Sequence, residues 1–160
     1  ERLQGFFCLP AGITNPSSSP LQKLNLSFCC LPPESVGALV GLKSLKLRSC
    51  HVTDRELGAD EGCPSNNATP VCRNWNDSDF PQQLGNLVNL VLFQLILCDG
   101  LLELPSTIEN LTKLRKLIVS DCQNFHCLPA EIELLQSLQE LKISDCSKVR
   151  SLPTECGRLP

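Results

Sequence analysis

Residues 90–113 read LVLFQLILCDGLLELPSTIENLTK, residues 114–137 read LRKLIVSDCQNFHCLPAEIELLQS, and residues 138–159 read LQELKISDCSKVRSLPTECGRL. Aligned on their first cysteines, these lines repeat one pattern with a period of 24 residues. Leu90, Phe93 and Leu95 precede Cys98; Leu114, Leu117 and Val119 precede Cys122; Leu138, Leu141 and Ile143 precede Cys146. After each cysteine an apolar residue follows at Leu101, Phe125 or Val149, then a Leu-Pro pair at 104–105, 128–129 or 152–153. Each proline opens a P-x-x-I-x-x-L series: Pro105, Ile108, Leu111; Pro129, Ile132, Leu135; Pro153, Cys156, Leu159.

The apolar period changes within each unit, and that change dictates its shape. The L-x-L portion alternates as a strand with one inward face does, whereas the proline portion has the three-residue spacing of a tight helical or 3-10 turn. A unit of this length cannot bury both apolar edges alone. It must stack on copies of itself, giving an α/β solenoid curved as a horseshoe, with one short parallel strand per repeat on the concave side and turns or short 3-10 or α segments on the convex side.

At 160 residues the chain has room for about six such units in a single elongated domain, residues 1–160. Its 14 basic and 17 acidic residues nearly balance, which gives no case for nucleic acid or a membrane surface as partner. The chain starts at Glu1 without a charged-then-apolar leader and has no apolar run of membrane-spanning length, so it is expected to be soluble and to be a piece of something longer. Of the 11 cysteines, Cys29, Cys50, Cys98, Cys122 and Cys146 share the landmark position. There a small, partly polar side chain turns beneath the strand end and approaches the neighbouring backbone. Periodic placement and an odd total point to reduced thiols and a cytoplasmic or nucleocytoplasmic home.

Taken in order, the chain opens with a partial unit at Leu9-Pro10 and Ile13, interrupted by a loop at residues 16–20. Strand signals follow at Leu21, Leu24, Leu26 and Cys29, then at Leu42, Leu45, Leu47 and Cys50, linked through Pro32-Pro33, Val36 and Leu39. Between residues 51 and 79 the pattern weakens. A degenerate repeat would place Leu57, Val71 and Asn74 on the template but would put Asp60, Asn66 and Thr69 at apolar positions; a loop inserted within one unit is the preferred reading. Register resumes at Phe80-Pro81, Leu84, Leu87 and Leu90, and neither end shows a complete capping repeat.

The L-x-x-L-x-L-x-x-C frame resembles the leucine-rich repeat superfamily. Cysteine at the landmark, the following Leu-Pro, and the phrases CDGLLELPSTIENLTKLRKL and CQNFHCLPAEIELLQSLQEL look like the C-terminal repeats of plant intracellular nucleotide-binding immune receptors, the disease-resistance proteins. That resemblance covers residues 80–159 well and 21–50 adequately. It implies a segment that contacts a pathogen effector or a guarded host protein and helps restrain an adjoining nucleotide-binding domain. A second reading is the substrate-selecting repeat scaffold of a ubiquitin ligase or another signalling adaptor. No G-x-x-x-x-G-K-[ST] is present, so ADP or ATP would belong to an upstream domain and no cofactor is expected in this segment.

If the landmark leucines point inward, the residues between them form columns on the concave face, since neighbouring strands stand about 4.8 Å apart. The resulting partner-binding candidates are an apolar band of Val91, Leu92, Gln94, Ile96 and Leu97, the adjoining Arg115, Lys116 and Ile118, and the basic Lys43, Lys46 and Arg48. Lys116 and Glu140 share a column and are expected to pair. Catalysis is not expected: Cys122 with His126 and Cys127 could be drawn as a thiol beside a base, but the coil already requires Cys122, and no third orienting group is adjacent. Cys50, His51, Cys63 and Cys72 are metal-ligand types at irregular spacing without a C-x-x-C pair, so neither a metal site nor a Cys63–Cys72 cross-link is expected.

Overall fold

The structure, a computed structural model, describes residues 2–4, 21–28, 30–31, 37–52, 80–150 and 152. The expected partial unit at residues 9–13, the loop at 16–20, Cys29, Val36, residues 53–79 with Cys63 and Cys72, and the Pro153–Leu159 turn lie outside the described residues.

Among the described residues, six strands form one parallel sheet in the order β1 (Arg2–Gln4), β2 (Lys23–Ser27), β4 (Ser44–Arg48), β6 (Leu92–Ile96), β7 (Lys116–Ser120) and β8 (Glu140–Ser144). Within it Leu24, Leu45, Phe93, Leu117 and Leu141 are register partners in one row, and Leu26, Leu47, Leu95, Val119 and Ile143 in the next. These are the L-x-L positions, and in β2, β4, β6 and β7 their side chains are buried. At about 1.5–3 kcal/mol for each fully buried large aliphatic side chain, the rows supply much of the drive for stacking. In β8 the same positions, with Cys146 and Val149 after it, are only partly buried.

β4 pairs directly with β6, Leu45 opposite Phe93 and Leu47 opposite Leu95, a step of twice the usual length. No strand therefore intervenes between them in the sheet. A separate two-stranded parallel pair joins β3 (Cys30–Leu31) to β5 (His51–Val52), just beyond the landmark cysteines, where sequence alternation gives no strand signal.

The three-residue spacing after each proline is the spacing of hydrogen bonds. Ile108 N–H donates to Pro105 O (3.1 Å), Leu111 to Ile108 O (2.9 Å) and Leu114 to Leu111 O (2.9 Å). One coil further on, Ile132 donates to Pro129 O (3.2 Å), Leu135 to Ile132 O (3.2 Å) and Leu138 to Leu135 O (2.9 Å). The sequence spacing works because 3-10 geometry returns to the same face every third residue. These bonds build 3-10 turns η1 (Ser106–Asn110) and η2 (Ala130–Leu134), each preceded by a proline in extended conformation. Proline suits that place, since its φ is preset and its missing N–H is not needed by the turn. A short helix, α1 (Phe80–Leu84), occupies the equivalent place one coil earlier, and the three segments pack in sequence along the stack.

The landmark cysteines close the core at the strand ends. Cys98 Sγ donates to Ile96 O (3.4 Å) in its own coil and to Leu47 O (3.8 Å) in the preceding one. Cys50, Cys122 and Cys146 repeat the two contacts, with Leu26 O, Leu95 O and Val119 O as their neighbours in the preceding coil. All four are free thiols. The Cys98 thiol is pushed well above its ordinary range by its hydrogen bond with the Cys122 thiol and then by burial, which keeps it neutral and suited to an apolar interior. Cys122 is buried with its Sγ on Leu95 O and Ser120 O, whereas His126 is exposed.

Candidate protein-docking face

With leucines inward, the alternate residues of each strand face outward in three columns fixed by the register. The first runs Lys23, Ser44, Leu92, Lys116, Glu140; the second Asn25, Lys46, Gln94, Ile118, Lys142; the third Ser27, Arg48, Ile96, Ser120, Ser144. Parallel pairing across direct neighbours brings residues remote in sequence side by side. Lys46 lies beside Gln94 and Arg48 beside Ile96, although the chain between them is long.

The sequence-derived residues separate into two groups. Leu92, Gln94 and Ile96 of β6, Ile118 and Lys116 of β7, and Lys46 and Arg48 of β4 stand on the sheet itself. Leu92, Ile96 and Ile118 are half-buried, as are Gln94 and Lys46, while Arg48 and Lys116 are exposed. Lys43, Val91 and Arg115 sit just before their strands, where Lys43 O accepts from Val91 N (2.8 Å) and Val91 O from Arg115 N (2.9 Å). Leu97 follows β6 with a left-handed backbone, φ 55°. These four line the rims of the face rather than its floor, because the strand's alternation ends before it reaches them.

The floor groups three apolar side chains around Gln94, with cations beside them. Leu92 and Ile96 flank Gln94, and Ile118 stands opposite Gln94 on the next strand. Lys46 and Arg48 border this group on one side and Lys116 on the other. Lys116 Nζ meets Glu140 Oε2 at 2.7 Å, the pair expected from their shared column, with both side chains well exposed (53% and 43%). The hydrogen bond from Lys116, and then its charge, hold the Glu140 carboxyl below the usual range. The face thus offers apolar contact and cationic edges, two ingredients of protein recognition.

A second grouping escaped the sequence reading. Glu103, His126 and Cys127 each bring one ligand-type atom within 4.8 Å of the others. The stacking assembles it, because Glu103 and Cys127 meet across an isolated parallel bridge between coils. Glu103 and Cys127 share one offset from Cys98 and Cys122, the signal available for that pair, whereas His126 stands one place earlier.

The repeating strand, landmark turn and 3-10 segment define a leucine-rich repeat solenoid, a class whose concave surface serves as a protein-interaction scaffold. A family model described as Leucine Rich repeat matches residues 17–40. Among solved structures, the chain is similar to a leucine-rich repeat protein of Leptospira interrogans, with 28% identity over 97% of this chain and a TM-score of 0.65. It spans 32% of that protein's chain, about a third of its length. The leucine-rich repeat domain of the type III effector XopL shares the fold, with 19% identity, a TM-score of 0.51, and coverage of 99% of this chain and 72% of that one. No curated protein sequence matches the chain significantly. Among the described residues, no helix is long and apolar enough to cross a membrane.

Proposed function

We propose that the chain is a non-enzymatic recognition segment that binds another protein through the outward face of β4, β6 and β7. The observation that carries this reading is the register: it gathers Leu92, Ile96 and Ile118 into one apolar group and surrounds them with Lys46, Arg48 and Lys116. The complementary partner presents an apolar protrusion within an acidic rim. Apolar burial supplies affinity, and the cations steer encounter and orient the partner.

The finer reading assigns this segment to an intracellular immune receptor of the plant disease-resistance type, where it binds a pathogen effector or a guarded host protein and restrains an adjacent nucleotide-binding domain. Its support is the cysteine landmark followed by Leu-Pro at residues 98–129 and the phrases quoted above. The competing adaptor reading shares the same docking chemistry. The two differ in what precedes the repeats: a phosphate-binding loop encoded upstream favours the receptor, and a short helical ligase-docking box favours the adaptor.

The docking reading is tested with the full-length protein carrying Leu92→Asp and Ile96→Asp. These half-buried side chains tolerate charge better than the core does, so the fold persists while partner capture falls at least tenfold, the loss of about 1.4 kcal/mol or more expected at an interface centre. Proximity labelling in cells, compared between parent and variant, reads the effect. Equal labelling of the same partners by a folded variant removes the face from consideration.

A further inference from the structure

We propose that Glu103, His126 and Cys127 form a zinc(II) site that clips two adjacent coils together. Glu103 belongs to one coil and His126-Cys127 to the next, and the backbone holds them in register. The Glu103–Cys127 bridge fixes one pair, and His126 N–H donates to Leu102 O at 3.0 Å beside it. The three ligand-type atoms already lie within 4.8 Å of one another. Cys127 Sγ donates to Glu103 Oε2 at 3.4 Å, so two of the three are in direct contact. His126 Nδ1 lies 3.3 Å from Asn124 O. Asn124 is itself tied to both neighbouring coils, through its Nδ2 to Asp99 O (2.9 Å) and its Oδ1 from Lys148 Nζ (2.6 Å). The loop carrying the imidazole is therefore anchored on both sides.

The donor set selects the ion. A thiolate, an imidazole and a carboxylate suit zinc, which binds sulfur at about 2.3 Å and nitrogen or oxygen at about 2.0–2.2 Å in a tetrahedron. Calcium and magnesium prefer oxygen alone. In such a tetrahedron the ligand atoms stand about 3.3–3.7 Å apart, so closure moves them by roughly an ångström. Rotation of the exposed Glu103 and His126 side chains suffices. Binding replaces the S–H···O hydrogen bond with a sulfur–zinc bond and releases the thiol proton to solvent. Thiolate and carboxylate together neutralise the dication, and water completes the fourth position.

This thiol is distinct from the landmark thiols, which point inward at carbonyl groups. Cys127 is half-buried and its two companions are exposed, so the ion enters directly from water. The product is a staple between residues 24 apart in sequence, linking coils on the segment that leads from the sheet into the proline turn.

Cobalt(II), a spectroscopic stand-in for zinc, tests the site on the whole chain with its thiols reduced. The expected result is a thiolate-to-cobalt charge-transfer band that saturates at one ion per chain and disappears when zinc is added. Cys127→Ser abolishes the band, His126→Gln weakens cobalt binding by at least about 100-fold, and Cys146→Ser leaves it unchanged. Zinc raises the thermal midpoint of the parent and leaves that of His126→Gln, a substitution at an exposed position, where it was. Absence of a thiolate band in the parent overturns the proposal. So does an undiminished band in Cys127→Ser, which would place the ion on other cysteines, or an equal zinc-induced shift in parent and His126→Gln.

Discussion

Just before each landmark cysteine the backbone turns left-handed, and none of the described residues there is glycine. Phe28, Ser49, Leu97, Asp121 and Asp145 have φ values of 57°, 47°, 55°, 56° and 56°. An L-residue in this region sacrifices roughly 1–2 kcal/mol, and stacking offsets the cost. The N–H groups of Phe28, Ser49, Leu97 and Asp121 donate to Arg48 O, Ile96 O, Ser120 O and Ser144 O of the next coil, all at 2.9–3.0 Å. Ser49→Gly keeps that bond and removes the strain, so it raises unfolding stability by about 0.5–1 kcal/mol. Ser49→Val lowers it, since β-branching opposes positive φ. Urea unfolding of the two variants beside the parent reads both signs. Asp121 and Asp145 are of a type that tolerates this conformation, but Phe28 and Leu97 look like ordinary strand residues, and their left-handed conformation becomes visible only once a neighbouring coil supplies the carbonyl. A second residue-level prediction concerns Glu140, whose carboxyl is held low by Lys116. The pair's contribution is present above the ordinary glutamate range and fades as pH falls through the depressed folded value. Titration followed by carboxyl NMR shows Glu140 returning toward the ordinary range in Lys116→Gln.

The elements were legible in proportion to how local their causes are. Strands β6, β7 and β8 follow from L-x-L alternation, and η1 and η2 from proline and the three-residue recurrence of Ile108 and Leu111 or Ile132 and Leu135. The β3–β5 pair and the Glu103–Cys127 bridge were not legible, because neither segment alternates and each exists only through its partner. Spacing between turns is equally a matter of partners. A Cβ added at Gly85 would stand 2.7 Å from Thr107 Cβ and 3.0 Å from Thr107 O, the first of these closer than real side chains approach. Gly85→Ala therefore forces α1 and η1 apart and lowers stability by about 1–3 kcal/mol. Thermal unfolding checks this, and Gly85→Ala combined with Thr107→Gly, which removes the opposing Cβ, recovers part of the loss.

At the scale of the whole molecule, one repeated step converts a linear pattern into a surface. Leucines at fixed intervals stack inward, and the side chains between them align outward in columns that no short stretch of sequence contains. The direct pairing of β4 with β6 places Arg48 beside Ile96 and Lys46 beside Gln94, completing the cationic border of the apolar group. The docking proposal and the Glu103–His126–Cys127 clip both depend on that stacking. The register is accordingly the central claim, and backbone nuclear Overhauser effects measure it most directly. The account predicts interstrand contacts joining Leu95 to Val119 and Val119 to Ile143, continued through Leu47 opposite Leu95. Interstrand contacts displaced by even one residue, or an antiparallel pattern among these strands, would contradict it.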